Sequence, residues 1–402
     1  MLSLIVKKFG GSSVADDDKL SNAARIIANS HVAGHQIVVV VSAQGDTTDD
    51  LLGKIASINP GASRRETDML LACGEQMSAS LLAMTVEKMG FPVISLTGWQ
   101  AGMQTDSNHS VARIQKIDPE RVRMELDKNN IVIIAGFQGI NRFGDVTTIG
   151  RGGSDTTAVA FASALKADLC QIYTDVDGVY TADPRIVPEA RKLKEISFDE
   201  MLELASLGAQ VLASRSVEMA KRFRVKLEVL SSFLNQPGTI VKEVVKMENM
   251  QVSGVARDNN VARIALVGLA DVPGVASNIF SLLARQKINV DIILQSIGRH
   301  NTKDISFTVT KSDLPEARSL IEEHKDSLAY ETLVVSDHIS KVSAVGAGMA
   351  NNPGVAARMF TALARAGVNI QMISTSEIKV SVLIDLADSD RAVQVIHQEF
   401  FG

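Results

Sequence analysis

The sequence predicts an α/β domain with a mostly parallel sheet, followed by a smaller α+β region that contains an internal repeat. Three observations support this prediction. Roughly the first 230 residues alternate short apolar runs with helical patterns. Beyond about residue 247 the predicted strands and helices become shorter. An 18-residue pattern in that second region recurs 80 positions later.

Six apolar runs of the first region are predicted as strands, because they are β-branched and almost continuous, as strands buried on both faces require. They are residues 2–7, 37–42, 93–96, 131–136, 169–174 and 227–231. Helical periodicity between them predicts helices at residues 19–33, 66–89, 118–128 and 156–167. A further helix follows Ser197, which forms a capping box with Glu200, and Gly208 can close it.

The internal repeat lies in the last third of the chain. Residues 273–290 align with residues 353–370, and nine of the eighteen positions are identical. Each copy places a Pro-Gly turn before a helix with apolar residues at helical spacing, and then enters a strand through Asn289 or Asn369. Chance would rarely give so many identical positions together with the same Pro-Gly turn and the same Asn before the strand. We therefore interpret the segment as a duplicated α+β unit.

Composition excludes several classes of function. The net charge of −5 is spread over 402 residues without a block of Lys or Arg, which argues against nucleic acid and anionic membranes as partners. The longest apolar runs are far shorter than the ~20 residues that span a bilayer, and no signal peptide is evident, so we expect a cytoplasmic enzyme. Cys73 and Cys170 have no metal-site spacing, and their apolar surroundings predict that both are buried.

The first candidate motif is Lys8-Phe9-Gly10-Gly11-Ser12, just after the first predicted strand. Two glycines let the backbone approach a ligand closely, turn N–H groups can cradle phosphate oxygens, and Lys8 adds a positive charge beside them. An ordinary strand–helix turn with an exposed lysine would explain the same residues. The motif alone therefore leaves both interpretations open.

The second motif spans residues 148–157 and opens an alanine-rich helix. Glycines before a helix N-terminus are typical of an anion site, and Arg151 can hold a carboxylate in a bidentate fork. Helix capping by Ser154 or Asp155 is the alternative. Capping does not require a preceding Arg-Gly-Gly, so the motif favours a binding function.

Two weaker motifs complete the set. Residues 173–185 leave the C-terminal end of a predicted strand, which is the edge where open α/β sheets bind ligands, although an Asp/Gly/Pro-rich loop is the plainer interpretation. Glu75 lies in a helical stretch, with Ser42 and Thr47 upstream. It could pair with a substrate ammonium group, or it could be a solvated helix residue.

Together, and in this order, the motifs resemble those of the aspartate kinase family: residues 8–14, 42–48, 74–75, 109–113, 135–139, 148–157 and 174–185. The resemblance covers essentially the whole chain. It implies an α/β amino-acid-kinase-like three-layer sandwich, followed by two α+β ACT domains of βαββαβ form. The expected domains are residues 1–246 for the kinase, 247–335 for the first ACT domain and 336–402 for the second, with residues 247–262 able to pack with the second.

The resemblance also implies an activity, namely transfer of a phosphoryl group from ATP, with Mg²⁺, to the side-chain carboxylate of L-aspartate. It assigns Lys8 to the transferring phosphoryl group and Asp155 to organising that lysine or the magnesium, and no direct side-chain metal ligand is expected. The implied substrate residues are Ser42, Thr47, Glu75, Arg151, Gly152, Gly153 and Ser154. The implied ATP residues are Lys8, Phe9, Gly10, Gly11, Ser12, Thr174, Asp175, Tyr180, Asp183 and Arg185.

One position departs from the family pattern. Many members carry Lys where this chain has Gln210, and that Lys lies near the nucleotide phosphates. The substitution raises a question about nucleotide affinity and leaves the expected fold unchanged.

For the repeat, the resemblance implies a site for lysine, threonine or both, and a homo-oligomer formed through the ACT domains. A Pro-Gly turn at a helix N-terminus leaves N–H groups free for an amino acid's carboxylate. A repeat that serves dimerisation only is the alternative, and a second start at Met247 or Met250, giving a separate regulatory subunit, stays open. The implied effector residues are Asp271, Gly274, Ala276, Asn289, Asp291, Gln295, Asn352, Gly354, Ala356, Asn369, Ile370 and Ser376.

Two competing functions remain at this point. Another carboxylate kinase of the same fold, acting on glutamate or acetylglutamate, would share the Lys-Phe-Gly-Gly motif. A non-catalytic amino-acid sensor would share the repeat. The paired repeat argues against the first, and the presence of Lys8, Glu75, Arg151 and Asp155 argues against the second.

Overall fold

The computed structural model describes residues 3–207, 211–243, 251–296, 301–349, 352 and 354–402. Within these ranges the chain forms two compact units. Of the described residues, the first takes in 3–180, 191–206 and 211–243, and the second takes in 181–190, 207 and those from 251 to 402. Four residues singled out from the sequence lie outside the described ranges: Gly208, Gln210, Met247 and Met250.

The first unit alternates strands and helices. Its strands are β1 (Leu4–Phe9), β2 (Gln36–Val41), β3 (Val93–Leu96), β4 (Met103–Thr105), β5 (Ile114–Ile117), β6 (Ile131–Ala135), β7 (Gln138–Ile140), β8 (Val146–Thr148), β9 (Leu169–Thr174), β10 (Glu195–Ser197), β11 (Leu227–Ser231) and β12 (Thr239–Lys242). Its helices are α1 (Asp17–Val32), α2 (Thr47–Ile58), α3 (Arg64–Lys88), α4 (Glu120–Asp127), α5 (Gly153–Leu165), α6 (Phe198–Ser206) and α7 (Ser214–Phe223). The capping box before α6 is confirmed, since Glu200 N–H donates to Ser197 Oγ and Ser197 N–H to Glu200 Oε2.

The main sheet has eight strands in the order β10-β12-β11-β9-β1-β2-β6-β3. Neighbouring strands are parallel except for β11 and β12, which confirms the predicted mostly parallel sheet. Since β1 lies between β2 and β9, the chain crosses over in opposite directions on its two sides. The carboxyl end of β1 is therefore at the switch point where such sheets bind ligands.

A smaller sheet, in the order β5-β4-β7-β8, completes the first unit. Sequence periodicity does not predict it, because its strands have only three or four residues and show no clear alternation. Its last strand, β8, leads directly into the glycine-rich turn before α5.

Alternate residues of β1 face opposite sides of the main sheet. Ile5 and Phe9 lie in an apolar core with residues of α1 and α3, such as Ile27 and Leu82. Lys8 faces the other side, where it meets α5. The first strand was predicted to end at residue 7, whereas β1 continues through Phe9, which pairs with Val41 in β2. Lys8 is thus a strand residue rather than part of the following turn.

The start of α5 also differs from the prediction. Gly152 has a φ of 67°, and the helix begins at Gly153 rather than at Thr156. Ser154 and Asp155 therefore lie in the first helical turn rather than at its cap. Their positions are fixed by the helix, not by a loop.

Cys170 is buried, as predicted, but the prediction for Cys73 was wrong because this residue is exposed. Cys73 lies four residues from both Met69 and Met77 in α3, and both methionines are more than half exposed. Residues four apart share one face of a helix. An apolar neighbourhood in the sequence therefore did not distinguish the face of α3 that packs on the sheet from the face that does not.

Among the described residues, α3 is the one helix that is long and apolar enough to cross a membrane. The most apolar part of this helix is 44% buried within the protein, and the helix also buries Asp68 and Glu75. A core helix of a globular domain meets the same criterion of length and composition.

The second unit contains two antiparallel sheets. Its strands are β13 (Gly254–Asp258), β14 (Ala262–Ala270), β15 (Ile293–Gln295), β16 (Thr302–Val309), β17 (Thr332–Ser336), β18 (Ile339–Val345), β19 (Met372–Thr375) and β20 (Lys379–Asp385), and its helices are α8 (Val275–Arg285), α9 (Leu314–Glu323), α10 (Lys325–Leu328), α11 (Val355–Arg365) and α12 (Ser389–Phe401). The sheet orders are β15-β16-β14-β17 and β13-β18-β20-β19. Strand β13 precedes the first repeat in the chain but pairs with β18 of the second. The predicted α+β class of this region is confirmed.

Lys7 is an unusual core residue. Only 2% of it is exposed, and its Nζ donates to Gln171 Oε1 at 2.5 Å and to the Tyr173 hydroxyl at 3.1 Å. Burial lowers the pKa of Lys7 to about 8, while the nearby Glu228 carboxylate opposes the shift. The folded state therefore disfavours the charged ammonium.

This shift predicts a pH dependence of stability. The folded pKa is about 8 and the ordinary value is 10.5, so folding releases a proton between those values. We expect the free energy of unfolding to increase as the pH rises from about 8 to about 10. Urea unfolding of the wild type and of Lys7→Met across this range measures the effect. The difference in free energy between the two proteins should change with pH, and a constant difference would contradict the assignment.

Candidate functional site

The site is built around Lys8 at the carboxyl end of β1. Its Nζ lies 2.7 Å from Asp155 Oδ1 in the first turn of α5, and only 12% and 11% of the two side chains are exposed. Asp155 Oδ2 also accepts the Ala213 N–H at 3.4 Å. This ion pair brings together two motifs that are far apart in the sequence.

Two glycine-containing loops meet beside Lys8. A Cβ atom at Gly11 would lie 2.6 Å from the Ala43 carbonyl oxygen, so only glycine allows this approach. The Gly45 N–H donates to the Gly11 carbonyl at 3.1 Å. At Gly10, a Cβ atom would lie 3.5 Å from Lys8 Nζ. The ammonium group therefore folds back over the turn that the sequence predicts to bind phosphate.

Ser12 and Thr47 flank these loops. Ser12 is exposed, in a 3₁₀ turn at Gly11–Val14, and Thr47 is the first residue of α2. Ser42 follows β2, and its N–H donates to the Phe9 carbonyl at 3.1 Å. The main chains after β1 and β2 are thus tied together, as expected at the ligand-binding edge of a parallel sheet.

Glu75 lies in α3 and points at the same edge. Its Oε1 accepts the Ala43 N–H at 3.2 Å, while its Oε2 is buried without a hydrogen-bond partner among the described residues. Gly74 permits this contact, since a Cβ there would lie 2.8 Å from Ala43 Cβ. Burial raises the pKa of Glu75 to about 7, and the hydrogen bond from Ala43 only partly opposes the shift. An unpartnered buried carboxylate oxygen is suited to accept a proton or a cation.

The raised pKa of Glu75 predicts that its interaction with a cationic group depends on pH. If ionised Glu75 holds the ammonium group of the expected substrate, aspartate, then KM for that substrate should fall as the pH rises through about 7, because only the ionised form attracts the cation. The raised pKa also predicts that the free energy of unfolding decreases as the pH rises from about 4.5 to about 7, because the folded state disfavours the ionised group.

Initial-rate measurements from pH 6 to pH 8 test this expectation. Glu75→Gln should raise KM for aspartate and flatten its pH profile. Glu87→Gln is a matched control, because Glu87 is an exposed residue of the same helix. A pH profile that keeps its shape in Glu75→Gln would rule out this role.

Arg151 occupies the tip of the turn between β8 and α5. Gly150 and Gly152 have φ values of 81° and 67°, and the Gly153 N–H donates to the Gly150 carbonyl at 3.0 Å. The Arg151 side chain is exposed, and no ion pair of Arg151 is found within the described ranges. Its guanidinium group is therefore available to an anionic ligand.

The rest of the turn lies close to the main sheet. A Cβ at Gly136 would lie 2.8 Å from Ser154 Oγ and 2.9 Å from the Val41 carbonyl. Ser154 thus sits against the ends of β2 and β6. Arg151 precedes Asp155, the ion-pair partner of Lys8, by four residues.

The predicted nucleotide residues divide between the two units. In the first unit, Thr174 Oγ1 donates to Asp175 Oδ1 at 2.9 Å, and the Tyr180 hydroxyl donates to Asp177 Oδ1 at 2.8 Å. Asp183 and Arg185 belong to the second unit and form an ion pair of 2.7 Å with each other. The first unit thus brings Thr174 and Asp175 to the end of β9, next to β1.

Two residues that sequence reasoning missed support the Arg151 turn. Asp68 in α3 is completely buried and accepts hydrogen bonds from Thr148 at the end of β8. Arg215 in α7 donates to the Ile149 carbonyl at 2.7 Å. No local pattern marks either residue, because their partners are 80 and 66 positions away.

No cluster of three or more His, Cys, Asp or Glu side chains suitable for a metal ion occurs in the described residues. Asp155 is the carboxylate that lies against Lys8. Carboxylate oxygens such as those of Asp155 are ligands that Mg²⁺ accepts, and Mg²⁺ commonly keeps several waters and few protein ligands.

In the second unit, the two expected effector loops share their backbone conformation. Gly274 and Gly354 have φ values of 97° and 105° and precede α8 and α11. Ala276 and Ala356 lie in the first turn of these helices and are half-buried, and most of the other predicted residues are exposed: Asn289, Gln295, Asn369 and Ser376, with Ile370 half-buried.

The polar partners of the two loops differ. Asp271 pairs with Lys303 at 3.1 Å in the first repeat, whereas Asn352 Nδ2 donates to the Gly348 carbonyl at 2.7 Å in the second. Asp291 pairs with Lys341 of β18 at 2.5 Å. The first loop therefore contains an ion pair at Asp271, and Asn352 in the second loop, which aligns with Val272, has a neutral partner. Asp291 already has a cationic partner.

Comparison with known proteins places these features in context. The profile of the Amino acid kinase family matches residues 3–231, and that of the ACT domain matches residues 264–324 and 342–400. The chain is similar to the aspartokinase of Mycolicibacterium smegmatis, with 48% identity over 99% of this chain and 96% of the relative. It is also similar to aspartokinase 2 of Bacillus subtilis, with 49% identity over 99% and 98% of the two chains.

Solved structures agree with the sequence relatives. E. coli aspartokinase III in complex with aspartate and ADP (R-state) is similar with a TM-score of 0.85, at 27% identity over 99% of this chain and all of that chain. The same enzyme in complex with lysine and aspartate (T-state) has a TM-score of 0.78 over the same shares of the two chains.

Proposed function

This chain belongs to the aspartokinase family, and we propose how its own residues carry out the reaction of an aspartate kinase. The enzyme transfers the γ-phosphoryl group of ATP to the β-carboxylate of L-aspartate and forms 4-phospho-L-aspartate. This is the first step of lysine, threonine and methionine biosynthesis. The ion pair of Lys8 with Asp155 carries the proposal, because it joins the phosphate motif to the helix that follows Arg151.

The chemistry needs alignment rather than a base. A carboxylate is already a competent nucleophile, so one β-carboxylate oxygen attacks the γ-phosphorus while the bond to the ADP oxygen breaks. The barrier comes from bringing the carboxylate anion close to the negatively charged phosphates of ATP. Cationic groups and N–H donors held in place lower that barrier.

Lys8 contacts the γ-phosphoryl oxygens and neutralises charge during transfer. Asp155 holds the Lys8 ammonium in position, at 2.7 Å, before the nucleotide binds. The main chain of Gly10 and Gly11, with Ser12, lines the phosphates. Bound Mg²⁺ would supply further charge neutralisation on the phosphate oxygens.

Aspartate is held at both ends of its backbone. Arg151 binds the α-carboxylate as a bidentate fork, with the Gly152 and Gly153 main chain and Ser154 beside it. Glu75 receives the α-ammonium on its unpartnered Oε2. Ser42 and Thr47 border the side chain and direct the β-carboxylate towards Lys8.

ATP is held by the loop after β9, and we assign Thr174, Asp175 and Tyr180 to the nucleotide. Phe9 stabilises this edge of the main sheet from the side that faces α1 and α3, where its ring stacks on that of Tyr173 with 4.7 Å between centroids. The stacked pair fixes the ends of β1 and β9, between which the phosphates enter.

Trapping the product with hydroxylamine tests the proposal. The purified chain is incubated with MgATP and aspartate, and the acyl phosphate is measured as its hydroxamate, with glutamate and acetylglutamate in parallel. Hydroxamate with aspartate alone is expected. Hydroxamate with glutamate instead would identify another carboxylate kinase, and none with any substrate would favour a sensor.

The second unit is proposed to bind a regulatory amino acid, lysine, threonine or both, at the loops before α8 and α11. The charged pair of Asp271 with Lys303 favours a ligand with polar groups at the first loop. We propose a cytoplasmic homo-oligomer that pairs through this unit. Aspartate-dependent ADP release with and without lysine and threonine tests the regulation, and light scattering with and without each amino acid tests the assembly.

A further inference from the structure

The turn that carries Arg151 is held from outside the substrate cleft. Asp68 Oδ2 accepts the Thr148 N–H at 2.9 Å, and Asp68 Oδ1 accepts the Thr148 hydroxyl at 2.7 Å. Asp68 is 0% exposed. It therefore cannot touch a bound substrate, and any effect on the reaction passes through the residues that it holds.

The same carboxylate also holds a neighbouring loop. Asp68 Oδ2 accepts the Ser110 N–H at 2.8 Å and lies 3.1 Å from His109 Nδ1, and Asp68 Oδ1 accepts the Ser110 hydroxyl at 3.1 Å. A carboxylate offers about four acceptor positions, so these contacts saturate it. Removing the charge would leave several buried donors without an acceptor.

Arg215 holds the same two loops through their main-chain carbonyls. Its Nη1 donates to the Ile149 carbonyl at 2.7 Å, and its Nη2 donates to the Ala112 carbonyl at 3.0 Å. The Ala112 N–H in turn donates to the Thr148 carbonyl at 2.9 Å. Both terminal nitrogens of the guanidinium group are thus engaged with main-chain oxygens.

Every main-chain N–H and carbonyl group of Thr148 and Ile149, the two residues before the turn, therefore has a hydrogen-bond partner. The Thr148 N–H donates to Asp68, and the Thr148 carbonyl accepts the Ala112 N–H. The Ile149 N–H donates to the Phe137 carbonyl at 3.0 Å, and the Ile149 carbonyl accepts from Arg215. Beyond this base, Gly150 and Gly152 are in the left-handed region and Arg151 is exposed. A rigid base below an exposed tip is the arrangement that positions a binding side chain.

We propose that Asp68 and Arg215 are positioning residues that set the Arg151 guanidinium for the α-carboxylate of aspartate. The inference rests on the proposed function, in which Arg151 binds that carboxylate. Asp68 is buried, and both terminal nitrogens of Arg215 are bonded to main-chain carbonyls, so we expect both residues to act through Arg151. Loss of either lets the turn shift, and a shift of about 1 Å at a binding group can cost about 100-fold in rate.

The experiment compares Asp68→Asn and Arg215→Lys with the wild-type enzyme. The Asn amide is similar in size but would face N–H donors with an NH₂ group, and a lysine can reach only one of the two carbonyls. We expect each variant to raise KM for aspartate about 10-fold or more, with KM for ATP changed less than twofold. Glu125→Gln is the matched control, because Glu125 is a buried carboxylate that accepts hydrogen bonds from Asn130 and Lys128 instead.

Introducing Asp68→Asn into an enzyme that lacks the Arg151 side chain distinguishes a loss of positioning from a general loss of stability. In an Arg151→Ala enzyme, Asp68→Asn should raise KM for aspartate by less than twofold, because the group that it positions is gone. Full additivity of the two substitutions would overturn the inference, as would equal effects of Asp68→Asn and Glu125→Gln on KM for aspartate at matched melting temperatures.

The two proposals fail in different ways. If Arg151→Ala raises KM for aspartate but Asp68→Asn and Arg215→Lys do not, the positioning inference falls and the proposed function stands. If Arg151→Ala leaves KM for aspartate unchanged, the assigned role of Arg151 falls, and this inference falls with it.

Discussion

Lys8→Met is expected to lower kcat for acyl-phosphate formation about 1,000-fold, with a small change in KM for aspartate. The reason is that a positioned charge-stabilising donor in a water-poor site contributes about 100- to 1,000-fold to such reactions, and Lys8 is almost buried against Asp155. Lys8→Arg should recover only part of the rate, since the planar guanidinium group is larger and its geometry differs from that of an ammonium group. Hydroxamate formation under saturating substrates measures the effect.

Lys7→Met provides the control for that experiment. Lys7 is the neighbouring residue of the same strand, but it faces the opposite side of the sheet and bonds to Gln171 and Tyr173. Its loss should leave kcat within about threefold of wild type, because a residue outside the cleft affects stability rather than transition-state charge. Similar losses of kcat in Lys7→Met and Lys8→Met would show that β1 is disturbed as a whole, and the role of Lys8 would have to be abandoned.

Arg151→Ala is expected to raise KM for aspartate about 100-fold and to change KM for ATP little. Truncating one partner of a charged hydrogen-bonded pair costs about 2–5 kcal/mol, and each 1.4 kcal/mol is about tenfold in affinity. Arg151→Lys should give an intermediate value, because lysine keeps the charge and loses the bidentate geometry. Initial rates at saturating ATP and varied aspartate provide the measurement.

Arg142→Ala is the matched control for Arg151→Ala. Arg142 is also exposed, but it stacks on Phe143 in the turn between β7 and β8, at the opposite end of β8 from Arg151. We expect its KM for aspartate to equal that of the wild type. An unchanged KM in Arg151→Ala would remove the α-carboxylate from this turn.

Much of this architecture could be predicted from local sequence. The strands around β1 are continuous β-branched runs, which predicts that they are buried on both faces. The Pro-Gly turns at the same position of each copy revealed the repeat. The glycine motifs indicated two turns that approach a ligand. That Lys8 and Arg151 serve one site was implied by the family resemblance alone, because Arg151 follows β8 of the smaller sheet, where no strand was predicted.

The parts that could not be predicted depend on partners distant in the chain. Asp68 looks like any helix residue, and its role emerges only when the fold brings Thr148 and Ser110 to it. The pairing of β13 with β18, across the first repeat, likewise has no local signal, and the expectation that residues 247–262 can pack with the second ACT domain came from the family resemblance. Cys73 was misassigned because both faces of α3 carry apolar residues, so that composition did not distinguish them.

The central claim is that one cleft of the first unit holds aspartate on Arg151 and directs its β-carboxylate at a phosphoryl group next to Lys8. A crystal structure of this enzyme with aspartate and a non-hydrolysable ATP analogue tests it most directly. The expected result is an α-carboxylate within hydrogen-bond distance of Arg151 and a γ-phosphate in contact with Lys8 Nζ. Aspartate bound elsewhere, or a γ-phosphate held without Lys8, would contradict the account.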